Sequence, residues 1–367
     1  MRLGDICGLN MGQSPDSSSY NENGDGMPFF QGNADFGKIH PRVRVWCSAP
    51  TKVAHAGDVL ISVRAPVGAL NIADRECCIG RGLAALTVNE ELCNKDYLWF
   101  AIASKVDELN SKGTGSTFKA ISKSVLAETE IPLPSLTEQQ GVAGQLAKVD
   151  ELIASRKEQL AKLDELVKAR FVELFGDPVA SENKRKLSEI GRIFTGNTPS
   201  MKEPSYYESN DIPFIKPSDL NESGVTNIDG VEAYVSEKAR PVARLIPPNT
   251  VLVTCIGTIG KIGITSRESC CNQQINFVVP NDGINSLYLA YCLTFFKSTL
   301  QNIANAPVVP IINKTQFSEL EVPVFDIDKQ NQFVAFVEQT DKSKLAIQQS
   351  LDKLETLKKS LMQKYFG

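Results

Sequence analysis

The chain has 367 residues, 42% of them hydrophobic and 22% charged, and a formal net charge of −4. That is longer than one domain usually runs, and the composition is that of a folded protein, which excludes a disordered tail. No apolar run is long enough to span a membrane, and nine cysteines without a Cys-x-x-Cys spacing, beside only His40 and His55, argue against a disulfide framework or a zinc site.

In chain order, the segment from Met1 to Asn10 carries Asp5 and no apolar run, so it does not read as a signal peptide. The nine thiols are expected reduced and buried, in a cytoplasmic protein. Residues 1–136 are rich in Gly, Pro and Asn, with a β-branched run at 59–63 and a helical pattern over 96–109. This region offers polar contact chemistry in four places. Lys38, Arg42 and Arg44 bunch in one run, Arg64-Ala65-Pro66-Val67-Gly68 forms another, and Gly80-Arg81-Gly82 a third. The fourth is a loop of glycines and hydroxyls, 113–123, that ends with Lys119 and Lys123 and suits a phosphate grip.

Residues 137–175 contain no proline, and no glycine after Gly144. Thr137 and Gln140 have the spacing of a capping box. Leu146, Val149, Ile153, Leu160, Leu163, Val167 and Leu174 fall on alternating three- and four-residue steps, with Arg156 and Arg170 interrupting. Such a seam needs a partner helix. At about 1.5 Å per residue this helix is about 58 Å long.

From 184 the grammar of the first region returns. Basic residues bunch in Lys184-Arg185-Lys186 and over 238–244, a β-branched run covers 251–256, and a helical pattern covers 286–304. Contact candidates here are Lys216, Lys261, Asn272, Gln273, Gln274 and Lys314. A second helix follows over 328–367, with Leu351, Leu354 and Leu361 on its seam. The expected domains are therefore 1–136, a helix and linker over 137–183, 184–327, and a closing helix over 328–367.

The chain is written twice. Leu3, Asp5, Ile6, Gly12, Ser14 and Pro15 are answered by Leu187, Glu189, Ile190, Gly196, Thr198 and Pro199. Pro28-Phe29-Phe30-Gln31 is answered by Pro213-Phe214-Ile215-Lys216, and Cys77-Cys78 by Cys270-Cys271. Ile121, Lys123, Ile131 and Pro132 match Ile312, Lys314, Val322 and Pro323, and Leu174-Phe175-Gly176 matches Tyr365-Phe366-Gly367. Order is kept while the offset drifts only slightly, the mark of a duplication. The expected fold is mixed α/β (α+β): two related domains separated by two long antiparallel coiled-coil helices, a pseudo-twofold internal repeat.

Catalytic signatures are missing. The run from Cys255 to Ile262 looks like a phosphate loop but has Cys255 at the first glycine and Ile262 at the magnesium-binding hydroxyl. Pro247-Pro248 lacks the flanks of an amino-methyltransferase loop, and neither histidine recurs in the second half. What recurs suits recognition. Arginine pairs with guanine, Asn and Gln pair with adenine, and glycine admits close backbone approach.

The run Arg64-Ala65-Pro66-Val67-Gly68 resembles the specificity subunits of Type I restriction-modification systems. So do Gly115-Ser116-Thr117 through Lys123, and Ile131-Pro132-Leu133-Pro134 with Glu138-Gln139-Gln140. The likeness covers nearly the whole chain, duplication included. It implies a non-catalytic, cofactor-free protein with two target-recognition domains, each reading half of a split sequence in double-stranded DNA. It also implies docking of two methyltransferase subunits and, through the complex, of motor-nuclease subunits. The second copy departs from the pattern, with Ala306-Pro307-Val308-Val309-Pro310 where Gly-Ser-Thr is expected and Ile256-Gly257 in place of Arg64-Ala65. Two other readings compete: a coiled-coil scaffold that binds only proteins, and a self-contained DNA methyltransferase or nuclease.

Overall fold

The computed structural model describes residues 1–113, 119–304 and 309–367. They fall into two compact units, Met1–Lys157 with Gln349–Gly367, and Glu158–Gln348. Each unit holds one globular head together with a stretch of both long helices.

The first head has two sheets. One is antiparallel, in the order Cys7–Met11, Leu83–Val88, Val59–Ser62, Leu70–Ile72. The other runs Tyr20–Asn21, Val45–Cys47, Met27–Phe30, Cys77–Ile79, Val53–Ala54, with Met27–Phe30 parallel to Cys77–Ile79. Successive side chains of a strand point to opposite faces. Cys77 therefore enters the cluster of Phe30, Leu60 and Ile79, while Cys78 joins Phe29 and Cys47. A strand buried on both faces takes small apolar residues at consecutive positions, which explains the doubled cysteine.

The second head repeats the plan. Gly191–Thr195, Ile275–Pro280, Val251–Thr254 and Ile262–Thr265 form the first sheet, and Val225–Ile228 adds a fifth strand parallel to Ile262–Thr265. Tyr234–Val235, Ile212–Ile215, Ser269–Cys271 and Leu245–Ile246 form the second. Cys270 and Cys271 again face different clusters. The repeat extends to single hydrogen bonds. Tyr97 donates its hydroxyl to Pro132 O at 2.9 Å, and Tyr288 donates to Pro323 O at 3.0 Å.

The helical pattern over 96–109 is two helices, Lys95–Ser104 and Val106–Lys112, because Lys105 leaves the helical region at ψ 3°. Its counterpart over 286–304 likewise divides into Ser286–Thr294 and Lys297–Ile303. Asn94 and Asn285 cap the leading helix of each pair through their side-chain oxygens.

The long helices are Leu136–Phe175 and Ile327–Phe366, 40 residues each. The first is capped earlier than the Thr137–Gln140 spacing suggests. Ser135 N–H donates to Glu138 Oε2 at 3.0 Å, and Glu138 N–H donates to Ser135 Oγ at 3.4 Å. Thr137 already lies inside the helix and caps nothing. Within the first unit the helices run antiparallel: Tyr365 donates to Gln145, Lys358 pairs with Asp150 and Lys157 with Glu355. In the second unit Lys344 pairs with Asp164. Of the seam residues, Leu146, Val149, Val167 and Leu351 are buried, and Ile153, Leu160, Leu163, Leu354 and Leu361 half-buried. Arg170 stays on the seam with its guanidinium 5.8 Å from the centroid of the Phe336 ring.

The helix ends do more than pair. Val142, Ala143 and Leu146 enter the core of the first head, and so does Phe366 from the far end of the second helix. Phe333 and Val337 enter the second head's core alongside Val167, Phe171 and Phe175 from the end of the first helix. The two closures match: Tyr97 meets Phe366 at 5.2 Å between ring centroids, and Tyr288 meets Phe175 at 5.0 Å. Each core is thus sealed by the start of its own copy's helix and the end of the other's.

Candidate nucleic-acid interface

Three loops meet at one edge of the first head. Gln31-Gly32-Asn33 follows strand Met27–Phe30, Arg64-Ala65 follows Val59–Ser62, and Arg81-Gly82 lies between Cys77–Ile79 and Leu83–Val88. Backbone bonds hold them: Gly80 N–H to Phe30 O at 2.8 Å, Val63 N–H to Gly82 O at 2.9 Å, and Ala65 N–H to Lys119 O at 3.0 Å. A Cβ on Gly82 would run into the Gln31 carbonyl oxygen, and one on Gly12 into that of Gly80, so both positions need glycine for close approach. The loops line an open cleft of about 230 Å3 that includes Gln31, Asn33, Arg64 and Arg81. Both arginines are exposed, and among the described residues neither is in a salt bridge. Two uncompensated guanidiniums at one cleft favour an acceptor-rich ligand.

The second head builds the same scaffold with other side chains. Asn272 N–H donates to Ile215 O at 3.2 Å and Cys255 N–H to Gln274 O at 2.7 Å. Ile256 bridges to Ile311 as Arg64 bridges to Ala120. The rim carries Lys216, Ile256 and Gln273 where the first head has Gln31, Arg64 and Arg81. Asn272 and Gln274 satisfy each other, Nδ2 donating to Oε1 at 2.8 Å and Gln274 N–H to Asn272 Oδ1 at 3.1 Å. Gln273 is exposed, and its Oε1 accepts the Thr198 hydroxyl at 2.7 Å.

The remaining candidates divide by what they already touch. Lys38 and Arg42 are exposed on the loop whose Ile39 carbonyl accepts Ile72 N–H. Lys123 and Lys314 are exposed at matching first positions of helices Lys123–Ala127 and Lys314–Ser318, and Lys314 lies 5.7 Å from the centroid of the Phe194 ring. Lys216 lies over Phe214 at 5.9 Å. Lys119 donates to Asn110 O at 3.2 Å. Arg44 is held by the buried carboxylate of Asp35. Lys261 is a correction: its side chain is only 10% exposed, pairs with Glu222 at 2.8 Å and donates to Pro217 O, which leaves no free ammonium for DNA. The other basic runs are largely paired as well: Arg185 with Glu189, Lys186 with Glu319, Lys238 with Glu208, and Arg240 with Glu237 and Glu268. Residues 114–118 of the phosphate-grip loop, and 305–308 of its counterpart, lie outside the described residues.

The apparent phosphate loop at Cys255 is a turn between antiparallel strands Val251–Thr254 and Ile262–Thr265, with no helix to follow it. Burial pushes the thiols of Cys7, Cys77, Cys255 and Cys270 up to about 12 and that of Cys93 to about 11, so none is a thiolate nucleophile near neutrality. Among the described residues no group of three His, Cys, Asp or Glu could hold a metal ion, and no helix is long and apolar enough to cross a membrane. Sequence reasoning passed over Gln31 and Asn33. The signal was available, because Gln31 stands opposite Lys216 in the repeat and marks the same loop.

A family model described as the type I restriction modification DNA specificity domain matches residues 1–165 and 180–358. The chain belongs to this family. Among proteins of the specificity family, it is 44% identical over 149 residues to a Methanocaldococcus jannaschii protein named as the MjaX specificity subunit of a type I restriction enzyme. That match covers 41% of this chain and 35% of the relative. The HindI specificity subunit of Haemophilus influenzae is 32% identical over 146 residues, 38% of this chain and 30% of its own length. These matches span about a third of the relatives. The fold is that of the type I S subunit from M. genitalium, with TM-score 0.63 at 16% identity, covering 100% of this chain and 95% of that one.

Proposed function

We propose that the chain is the DNA-reading specificity subunit of a type I restriction-modification complex. Its two heads read the two halves of a split target in double-stranded DNA. The subunit docks two methyltransferase subunits, and motor-nuclease subunits join through the assembly. It supplies recognition and contributes no reacting group and no cofactor.

One observation carries this reading: the same three loops are held by matching backbone hydrogen bonds in both heads, with different side chains at their tips. Duplicated frames with unlike rims suit a protein that must recognise two different short sequences. The net charge of −4 suits a subunit that shares the gripping of phosphates with partners.

The test is methyl transfer to a mixed-sequence DNA, with the purified chain alone and with its methyltransferase subunits. The complex should methylate adenine at a restricted set of sites, and the lone chain should transfer nothing. Methyl transfer by the lone chain would contradict the assignment, as would sequence-blind methylation by the complex.

A further inference from the structure

Because both heads meet the same polymer, their comparison separates two kinds of contact. The phosphate backbone is the same at either half-site, whereas the bases differ. A group that grips phosphate should be retained between the copies, and a group that reads a base should change on an unchanged backbone.

Lys123 and Lys314 are the retained pair. Each is the first residue of a short helix, follows a capping residue (Ser122 or Asn313), and is exposed. Each also follows closely on the segment that joins its head's three loops, where Ile121 N–H donates to Val63 O at 2.9 Å and Ile312 N–H to Cys255 O at 2.8 Å. The changed positions are at the rim. Arg64 becomes Ile256 and Arg81 becomes Gln273, while the bonds from Val63 to Gly82 and from Cys255 to Gln274 stay in register. Neither arginine keeps a cation at its own place in the second head, where the one rim cation, Lys216, stands opposite Gln31 instead. In the first head an arginine fork facing an acceptor pair fits the O6 and N7 edge of guanine. In the second, Gln273 can accept from adenine N6 and donate to N7, since the Thr198 hydroxyl occupies only one lone pair of its Oε1.

We propose that Lys123 and Lys314 anchor DNA phosphates, that Arg64 and Arg81 read guanine in one half-site, and that Gln273 reads adenine in the other. This rests on the reading of the chain as a DNA-specificity subunit.

The test uses the full chain assembled with its methyltransferase subunits, binding a randomised duplex library at several salt concentrations. Wild type should select a split motif with guanine in one half and adenine in the other. R64A and R81A should each relax a guanine position roughly 10- to 100-fold and leave the other half-site intact. Q273A should do the same at an adenine of the other half-site. K123A and K314A should weaken all targets alike, and each should lower the slope of log affinity against log salt by about 0.9. All five side chains are exposed, and unchanged thermal melting would confirm that each variant folds. The proposal is overturned if the lysine variants shift base preference, if the arginine or glutamine variants weaken every target equally, or if the wild-type half-sites lack those bases. A wild-type complex that selects no motif at all would overturn the DNA reading itself, before any variant is considered.

Discussion

Gln139 and Gln330 are wholly buried polar side chains at matching places near the starts of the long helices. Gln139 accepts Asn94 N–H at 2.8 Å and donates to Leu92 O and Pro134 O. Gln330 accepts Asn285 N–H at 2.8 Å and donates to Gly283 O and Phe325 O. Each amide fastens a helix to the loop that precedes a helix of its head. Gln139→Ala strands three backbone groups in the interior, and should destabilise the first unit by about 2–4 kcal/mol. Hydrogen exchange should quicken in the first head and not in the second, with the reverse for Gln330→Ala. Equal effects in both heads would contradict local clamping. Gln139 was legible as one of a Glu-Gln-Gln run, but its burial was not, because burial comes from a loop 45 residues away in sequence.

The thiols give a prediction in pH. Folded, Cys7, Cys77, Cys255 and Cys270 ionise only near 12, whereas an unfolded thiol ionises near 9. Between those values the unfolded chain binds fewer protons, so stability falls as pH rises above 9. Tyr97, pushed by burial to about 12, acts in the same direction from about 10 upward. The denaturant midpoint should decline steadily from pH 9 to 11, and iodoacetamide at pH 8 should leave these four thiols unmodified in the native protein. A flat midpoint, or rapid native alkylation, would contradict the burial.

The elements were read unevenly. The strands Val59–Ser62 and Val251–Thr254 and the two long helices follow from local pattern, and the sequence places them nearly as they lie. The break at Lys105 did not show, because the apolar pattern continues across it. The roles of Phe171, Phe175 and Phe366 did not show either, since a heptad count sees a seam and not the core that a helix end enters. Two substitutions test the revised helix start. Ser135→Ala should cost about 1 kcal/mol, and Thr137→Ala much less. The reverse order, read from thermal melting, would restore Thr137 as the cap. Along the seam, Leu146→Ala should cost about 2–5 kcal/mol, whereas Leu166→Ala, with Leu166 49% exposed, should change stability by less than about 0.5 kcal/mol. Similar losses at both would mean that the buried face is misassigned.

For the molecule as a whole, the duplication was the most legible feature. It survives as matched sheets, matched caps and matched helix ends, because those depend on spacing and side-chain class, which the repeat preserves. The contacts at the cleft rims were only partly legible. Arg64 and Arg81 are separated by 17 positions, and only the closing of the loops brings them to one cleft. Lys261 misled because its charge is visible in sequence and its partner Glu222 is not adjacent.

If the two heads read two half-sites independently, residues 1–136 can be replaced with the equivalent segment of another member of the family and only one half-site will follow. Methylation is then mapped across a genome modified by the hybrid and its methyltransferase. The hybrid should give a split motif in which one half changes and the other remains that of the parent. A motif in which both halves change, or a single uninterrupted motif in the parent itself, would contradict it.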